Sequence, residues 1–276
     1  MSAAGAAPLL IGVDFSSRPT GRKPIVVAFG QRRGAWVHLT AVQAHPTLQS
    51  FGAWLCEPLA WVGGFDFPFS MPAELVRDLG WPSSWRELVA HCCTLTREDL
   101  RKTLDAYRAT RPVGSKYAHR ATDLPAGSSS PMKLVNPPVA LMFHEGARRL
   151  AASGVHVPLL ADGDRSRVAL EAYPGLLVRK QLGLRASYKS DTRSEHTPER
   201  KAIRRQVVKA LLTGKPLGIR LEAERRVQRD MIEDGSGDTL DAVICAVQAA
   251  WANTRPDYGF PRNVIAGEGW IVSADV

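Results

Sequence analysis

The amino-acid sequence predicts an α/β fold, and two patterns near its start carry that prediction. The first is a series of three strand-like apolar runs, over residues 9–15, 25–29 and 35–42, separated by short segments rich in Ser, Pro, Gly and Arg that favour turns. The second is a segment with helical spacing of its apolar residues, 45–56, followed by another short apolar run at 61–69. The predicted order is therefore a three-strand meander, a helix and a fourth strand.

The first strand is predicted to lie in the centre of the sheet. Leu9, Leu10, Ile11 and Val13 form a nearly continuous apolar run, which is typical of a strand that is buried on both faces. The helix that follows the meander begins near Pro46, a residue suited to a first helical turn.

The middle of the chain, about 71–138, is predicted to be a helical insertion that ends in a long loop. Residues 71–110 have helical patterns, and two Ser/Thr-x-x-acid signatures at 84–87 and 96–99 are placed as capping boxes. From 112 to 138 the chain is rich in Gly, Ser and Pro. A loop of this length inside a compact domain indicates function or mobility.

The second half continues the alternation of strand and helix, within one domain over 1–276. A helix is predicted over 139–152 and a strand over 168–173. The helix over 198–213 is bounded by a threonine N-cap, a proline at its first position and a glycine after its end. The last clear helix covers 238–253.

Basic residues are concentrated in one stretch. The chain carries 36 Lys and Arg against 27 Asp and Glu, a formal net charge of +9. The basic helical segment 179–229 has fifteen Lys and Arg against five Asp and Glu, so the remainder is close to neutral. Such a run is usually a solvated helix face, but here it directly precedes an acidic helix, which favours contact with nucleic-acid phosphates. The residues predicted to bind this substrate are Lys189, Arg200, Arg204 and Arg205.

Five carboxylates stand out, because a charge in or at the end of a buried strand is costly unless it is paired or bound to a metal. Asp14 and Asp66 end the first and fourth predicted strands, and Glu171 lies in an otherwise apolar strand. Asp238 and Asp241 lie three residues apart on one face of the last helix. Each has a structural alternative: a side-chain turn at the two strand ends, an arginine partner for Glu171, and capping of the helix by the acidic pair.

Taken together, the five acids favour a metal site. Three strand-borne acids and a helical acidic pair exceed what turns and caps require, and such a cluster would repel itself unless cations neutralised it. Oxygen ligands favour Mg²⁺ or Mn²⁺ over zinc. Two such ions about 4 Å apart activate a water and stabilise the leaving oxygen in phosphodiester hydrolysis. The sequence therefore predicts a metal-dependent nuclease.

Five short motifs accompany these acids. They are Gly-Val-Asp-Phe-Ser at 12–16, Gly-Phe-Asp-Phe-Pro at 64–68, Leu-Glu-Ala-Tyr-Pro at 170–174, Asp-Thr-Leu-Asp-Ala at 238–242 and Glu-Gly-Trp-Ile at 268–271. Their order and spacing resemble the family named domain of unknown function 429, whose members are regarded as RNase H-like nucleases of uncertain substrate.

The resemblance implies an RNase H-like mixed sheet, in which an antiparallel meander is followed by parallel strands, with helices on its flanks. It also implies catalytic roles for the acids. Asp14 and Asp66 match metal ligands, Asp238 or Asp241 would supply the helical carboxylate ligand, and Glu171 matches a further family acid.

Two other functions remain open at this stage. The segment Gly-Val-Asp-Phe-Ser-Ser at 12–17 also resembles the first phosphate loop of actin-like ATPases, which would make the protein an ATP-dependent phosphotransferase, although the sequence has no second such loop. The protein would otherwise be an inactive RNase H-like module that binds nucleic acid. His119 and His144, in or beside the middle loop, are candidate general acids, but a lone histidine is more often structural.

The sequence also predicts a cytoplasmic location. The N-terminal fifteen residues have no basic segment before their short apolar run, unlike a signal peptide. No run approaches the roughly 20 apolar residues of a membrane-spanning helix.

Overall fold

A computed structural model of the protein describes residues 8–275. The N-terminal segment on which the signal-peptide prediction depends lies, up to residue 7, outside the described residues. Over the described range, seven strands form one sheet: β1 (Leu9–Asp14), β2 (Ile25–Arg33), β3 (Trp36–His45), β4 (Trp61–Asp66), β5 (Val155–His156), β6 (Asp164–Glu171) and β7 (Arg220–Glu222).

The sheet is mixed, and its order is β5-β6-β4-β1-β2-β3-β7. Strand β2 pairs antiparallel with β1 and β3, whereas β1 with β4, β4 with β6, β6 with β5, and β3 with β7 pair in parallel. The predicted meander, the central position of β1 and the parallel strands that follow are confirmed. Strands β5 and β7 were not predicted, because two or three residues are too short to show a strand pattern.

Helices cover both faces of the sheet. The α-helices of the described chain are α1 (Leu48–Leu55), α2 (Ala73–Asp78), α3 (Trp85–Thr94), α4 (Arg97–Thr110), α5 (Asp123–Ala126), α6 (Val139–Ser153), α7 (Pro198–Thr213), α8 (Arg225–Glu233) and α9 (Asp238–Ala252). A π-helical turn at Leu176–Gln181 and short 3₁₀ turns at Arg193–Glu195 and Pro256–Gly259 complete the set. Between residues 8 and 275, no helix is long and apolar enough to cross a bilayer.

Local capping signals explain some of the helix boundaries. The capping box of α4 forms as predicted: Thr96 accepts the amide of Asp99, whose carboxylate accepts the amide of Thr96. The capping box predicted at 84–87 is wrong, because the Ser84 hydroxyl donates to the Glu87 carboxylate at 2.6 Å and caps no amide of α3. The basic helix α7 begins and ends as predicted.

Alternation along β1 divides the core between the two faces of the sheet. Ile11 and Val13 pack on one face with α1, α3, α4 and α6. Leu10 points to the other face, which α7, α8 and α9 cover. The basic helix α7 therefore lies on the same face as the acidic helix α9, and the two helices are in contact.

Candidate metal centre

The site forms where α9 lies directly on the backbones of β1 and β4. These strands pair in parallel with Gly12 opposite Gly64. A Cβ atom on Gly12 would lie 1.9 Å from the carbonyl oxygen of Ala242, and one on Gly64 would lie 2.4 Å from that of Cys245. Only glycine admits so close a helix, and this contact sets the height of α9 above the strands.

This contact brings three carboxylates together. Asp14 and Asp66 lie two residues beyond the glycines, are paired with each other in register, and so point towards the face that α9 covers. Asp241 lies one helical turn before Cys245, over the ends of the strands. Asp14 and Asp241 are buried, Asp66 is partly buried, and one carboxylate oxygen from each lies within 4.8 Å of the others.

Asp238 lies beside this cluster and is not part of the group of three. It is the first residue of α9, and Gly237 occupies the N-cap position, so the interpretation of Asp238 as an N-cap is wrong. Its side chain is buried one turn before Ala242, and its charge contributes to raising the pKa of Asp14.

Both oxygens of Asp241 already have partners. The Tyr188 hydroxyl donates to Oδ1 at 2.6 Å, and the Lys189 ammonium pairs with Oδ2. Arg204 holds this segment in place, because its guanidinium donates to the carbonyl oxygens of Tyr188 at 2.6 Å and Ile232 at 2.8 Å. Arg204 is only 2% exposed, which corrects its predicted role: its bonds position the Tyr188 segment, and its guanidinium is not presented to a substrate.

The other predicted substrate-binding residues differ in how close they come to the acids. Lys189 contacts the cluster directly, with 38% of its side chain still exposed. Arg200, on α7, pairs with Glu195 at 3.0 Å. Arg205 is exposed to solvent on the same helix.

Two further basic residues act on the acids, although the sequence did not single them out. Lys23, in the loop between β1 and β2, opposes the effect of burial on the pKa of Asp238. Arg179 stacks over the Tyr173 ring, 5.4 Å from its centroid, and lowers the pKa of Asp66 against the effect of burial. A surplus of local positive charge was the available signal, but it did not indicate which residues approach the site.

Burial dominates the electrostatics of the cluster. It raises the pKa of Asp14 well above its usual range and that of Asp66 to about 7, and it also raises the pKa of Asp238. Burial by itself would lower the pKa of Lys189, but the nearby Asp241 and its neighbouring acids outweigh this and raise it well above its usual range. The cluster therefore favours bound cations.

Glu171, at the end of β6, belongs to a separate buried network. Arg120 donates to both of its oxygens, at 2.6 and 2.7 Å, and the amide of Phe69 donates at 3.0 Å. Arg120 also pairs with Asp123 at 2.9 Å. The arginine partner that the sequence offered as an alternative is thus present. Glu171 lies outside the group of three carboxylates, although its charge contributes to raising the pKa of Asp66.

The same network orders the long middle loop, and the sequence showed no local signal for it. The side chain of Glu268 accepts the amides of Ala73 at 2.7 Å and Ala121 at 2.8 Å, and its carbonyl oxygen accepts from Arg120. The buried His144 ring bonds carbonyl oxygens at the end of α3, which is the structural role expected of a lone histidine.

The donor set fits a divalent cation of the Mg²⁺ or Mn²⁺ type. An ion that takes oxygen ligands at about 2.0–2.6 Å spans oxygens up to roughly 4–5 Å apart, and those of Asp14, Asp66 and Asp241 lie within 4.8 Å of one another. All three donors are carboxylate oxygens, and no sulfur or imidazole belongs to this group.

A family model with the description "Protein of unknown function (DUF429)" matches residues 12–262. The matched segment begins two residues before Asp14 and extends past α9, so it contains the whole candidate site. No curated protein and no solved structure matches the chain.

Proposed function

The chain belongs to the DUF429 family, and from the geometry of its site we propose that it is a metal-dependent nuclease that hydrolyses phosphodiester bonds of nucleic acid. One observation carries the proposal. Three carboxylates from three elements, Asp14, Asp66 and Asp241, converge with oxygens within 4.8 Å of one another. A fold does not require acids at three such places, and their mutual repulsion is a cost that a bound cation offsets.

The fold supports the RNase H-like assignment within this proposal. The features that suggested it were an acid in the first strand, an acid at the end of the fourth, and a late helix that begins Asp-x-x-Asp-Ala. Each has its counterpart here: Asp14 ends β1, Asp66 ends β4, and α9 begins at Asp238. The adjacent β1 and β4 bring the first two acids together, and the glycine contact places α9 above them.

The residues of the chain have distinct tasks in this reaction. Asp14, Asp66 and Asp241 would hold two divalent cations, which when bound supply Lewis acids that polarise the phosphate and activate the attacking water. Lys189 and the exposed Arg179 would bind the phosphate, since both are basic groups beside the acids. The partly buried Asp66 lies where the site meets solvent.

The position of the basic segment supports nucleic acid as the substrate. Lys189 reaches the carboxylates themselves, and α7, with Arg205 exposed, lies on the same face of the sheet as α9. Phosphate contacts of this kind orient a polyanion without reading its sequence.

A cleavage assay tests the proposal. Single-stranded, duplex, hybrid and branched DNA and RNA are incubated with Mg²⁺ or Mn²⁺ and, in parallel, with EDTA. We expect cleavage that EDTA abolishes and that the variants Asp14→Asn and Asp66→Asn reduce at least about 100-fold, because each removes a charged cation ligand. Asp105→Asn is the matched control, since Asp105 is an exposed acid on α4 that pairs only with Arg108 there.

Four results would contradict the proposal. Cleavage that persists in EDTA, or that survives Asp14→Asn, would show that the carboxylate cluster is not the catalytic metal site. Stabilisation by ATP without any cleavage would favour the phosphotransferase. Binding of nucleic acid without binding of Mn²⁺ would favour an inactive binding module.

A further inference from the structure

We propose that Lys189 is a resident cation of the carboxylate site, so that the site takes one divalent ion, held by Asp14 and Asp66, where two ions would otherwise be expected. The inference rests on the proposed function, because it specifies how the cations of that same site are arranged. It changes the expected chemistry from two metal ions to one metal ion and one ammonium group.

The contacts of Asp241 are the first support. Its Oδ1 accepts the Tyr188 hydroxyl at 2.6 Å, and its Oδ2 pairs with the Lys189 ammonium. The ammonium therefore occupies the position from which a second ion would bind Asp241. Asp14 and Asp66, paired in register on adjacent strands, keep oxygens directed at the same space.

The fold holds Lys189 in this position. The preceding carbonyl, of Tyr188, accepts from the buried Arg204 at 2.6 Å, and the amide of the following Ser190 donates to the carbonyl oxygen of Gly235 at 3.1 Å. Gly235 lies just before α9, so the segment is fixed to the helix that carries Asp241. The backbone on both sides of Lys189 is therefore anchored, which keeps its side chain beside Asp241.

The balance of charge also favours one ion. The four acids Asp14, Asp66, Asp238 and Asp241 carry at most four negative charges. Lys189 and one divalent ion supply three positive charges, whereas Lys189 and two divalent ions supply five, and the nearby Lys23 and Arg179 add to either total. The second arrangement would place an excess of positive charge in a largely buried site, where repulsion is poorly screened.

Lys189 is also placed to act on the substrate. Its side chain is 38% exposed although it is bonded to Asp241. A phosphate that reaches the ion on Asp14 and Asp66 would therefore meet the ammonium at its other side. The lysine would neutralise charge on the phosphate there, which is the task of the second ion in a two-metal site.

Titration calorimetry with Mn²⁺ alone tests the inference through stoichiometry. We expect one Mn²⁺ per wild-type chain and two per Lys189→Met chain, because the substitution vacates a cation position. Lys102→Met is the matched control and should bind one, since Lys102 pairs with Glu98 on the surface of α4. Two ions in the wild type, or one in a folded Lys189→Met chain, would overturn the inference and leave the nuclease proposal intact.

Anomalous diffraction from wild-type crystals soaked in Mn²⁺ shows the number and position of the bound ions, and it tests the inference even where Lys189→Met fails to fold. One peak between Asp14 and Asp66, with Lys189 still on Asp241, supports the inference. Two peaks with the ammonium displaced refute it. A wild-type chain that binds no Mn²⁺ in either experiment would instead overturn the metal site, and with it the proposed function.

Discussion

Replacing Gly12 with alanine is expected to disturb both the fold and the candidate metal centre. The new methyl group would lie 1.9 Å from the carbonyl oxygen of Ala242 and 2.2 Å from the amide nitrogen of Ala246. Both atoms belong to the backbone of α9, which has no rotamer by which to avoid the clash. The helix as a whole must move away from β1, or β1 must bend.

The size of the effect follows from these distances. Ordinary contact begins at 3.4 Å, so α9 must retreat by about 1.5 Å at Ala242. Overpacking of a core costs about 1–3 kcal/mol, and we expect the upper end, about 3 kcal/mol, because the obstacle is backbone. At about 2–4 °C per kcal/mol, the melting temperature should fall by about 6–12 °C. The same strain acts on Asp14, which lies two residues after Gly12 on β1, and shifts Asp241 with its Lys189 partner relative to it. Mn²⁺ affinity should therefore fall at least about tenfold, since metal sites tolerate ligand displacements of only about 0.2 Å.

Urea unfolding followed by circular dichroism, together with Mn²⁺ calorimetry, measures both effects. Gly21→Ala is the control, because a Cβ there has no heavy atom within 4 Å, and its stability should stay within about 0.5 kcal/mol of the wild type. If Gly12→Ala is as stable as Gly21→Ala, or binds Mn²⁺ like the wild type, the glycine contact does not set the position of α9.

Three further predictions concern charge. Burial raises the pKa of Asp66 to about 7 in the folded state from an ordinary 3.8, so between these pH values the folded state retains a proton that the unfolded state releases. The stability of the metal-free wild type relative to Asp66→Asn should therefore fall as the pH rises from about 4 to 7. Urea unfolding in EDTA measures this, and the opposite slope would contradict it. Arg120→Met leaves the buried Glu171 carboxylate without its partner and should cost about 3–5 kcal/mol in the same assay; a cost below about 1 kcal/mol would show that the network carries little stability. Arg205→Gln, on the exposed face of α7, should reduce the slope of log binding affinity against log salt concentration by about one. Fluorescence anisotropy with labelled nucleic acid measures this slope. An unchanged slope would show that Arg205 does not contact the nucleic acid.

Local patterns were sufficient to predict the framework. The meander and β4 follow from short apolar runs separated by turn residues, α1 follows from helical spacing, and α7 follows from its caps. The same patterns placed Asp14 and Asp66 at strand ends. These features depend on residues that are consecutive in the chain, so they can be read without knowledge of the packing.

The partners of the charged residues could not be predicted in this way. Arg204 was assigned to the substrate by its charge, but its spacing from Val207 and Leu211 puts it on the buried face of α7, under the segment that carries Lys189. Glu171 and Arg120 lie 51 residues apart, and neither has a local signal that selects the other. Contacts between residues distant in the chain follow from packing, and a sequence with many arginines offers too many equivalent pairs.

The sequence by itself determined the central strands and the longest helices, which acids stand at their ends and where the basic segment lies. The tertiary structure decided which of these acids meet. It brought Asp14, Asp66 and Asp241 together, left Glu171 in a network of its own, and placed Lys189 on Asp241. The physical reason is that the periodicity of a strand or helix is encoded locally, whereas the convergence of side chains depends on how closely two elements approach, and here two glycines set that distance.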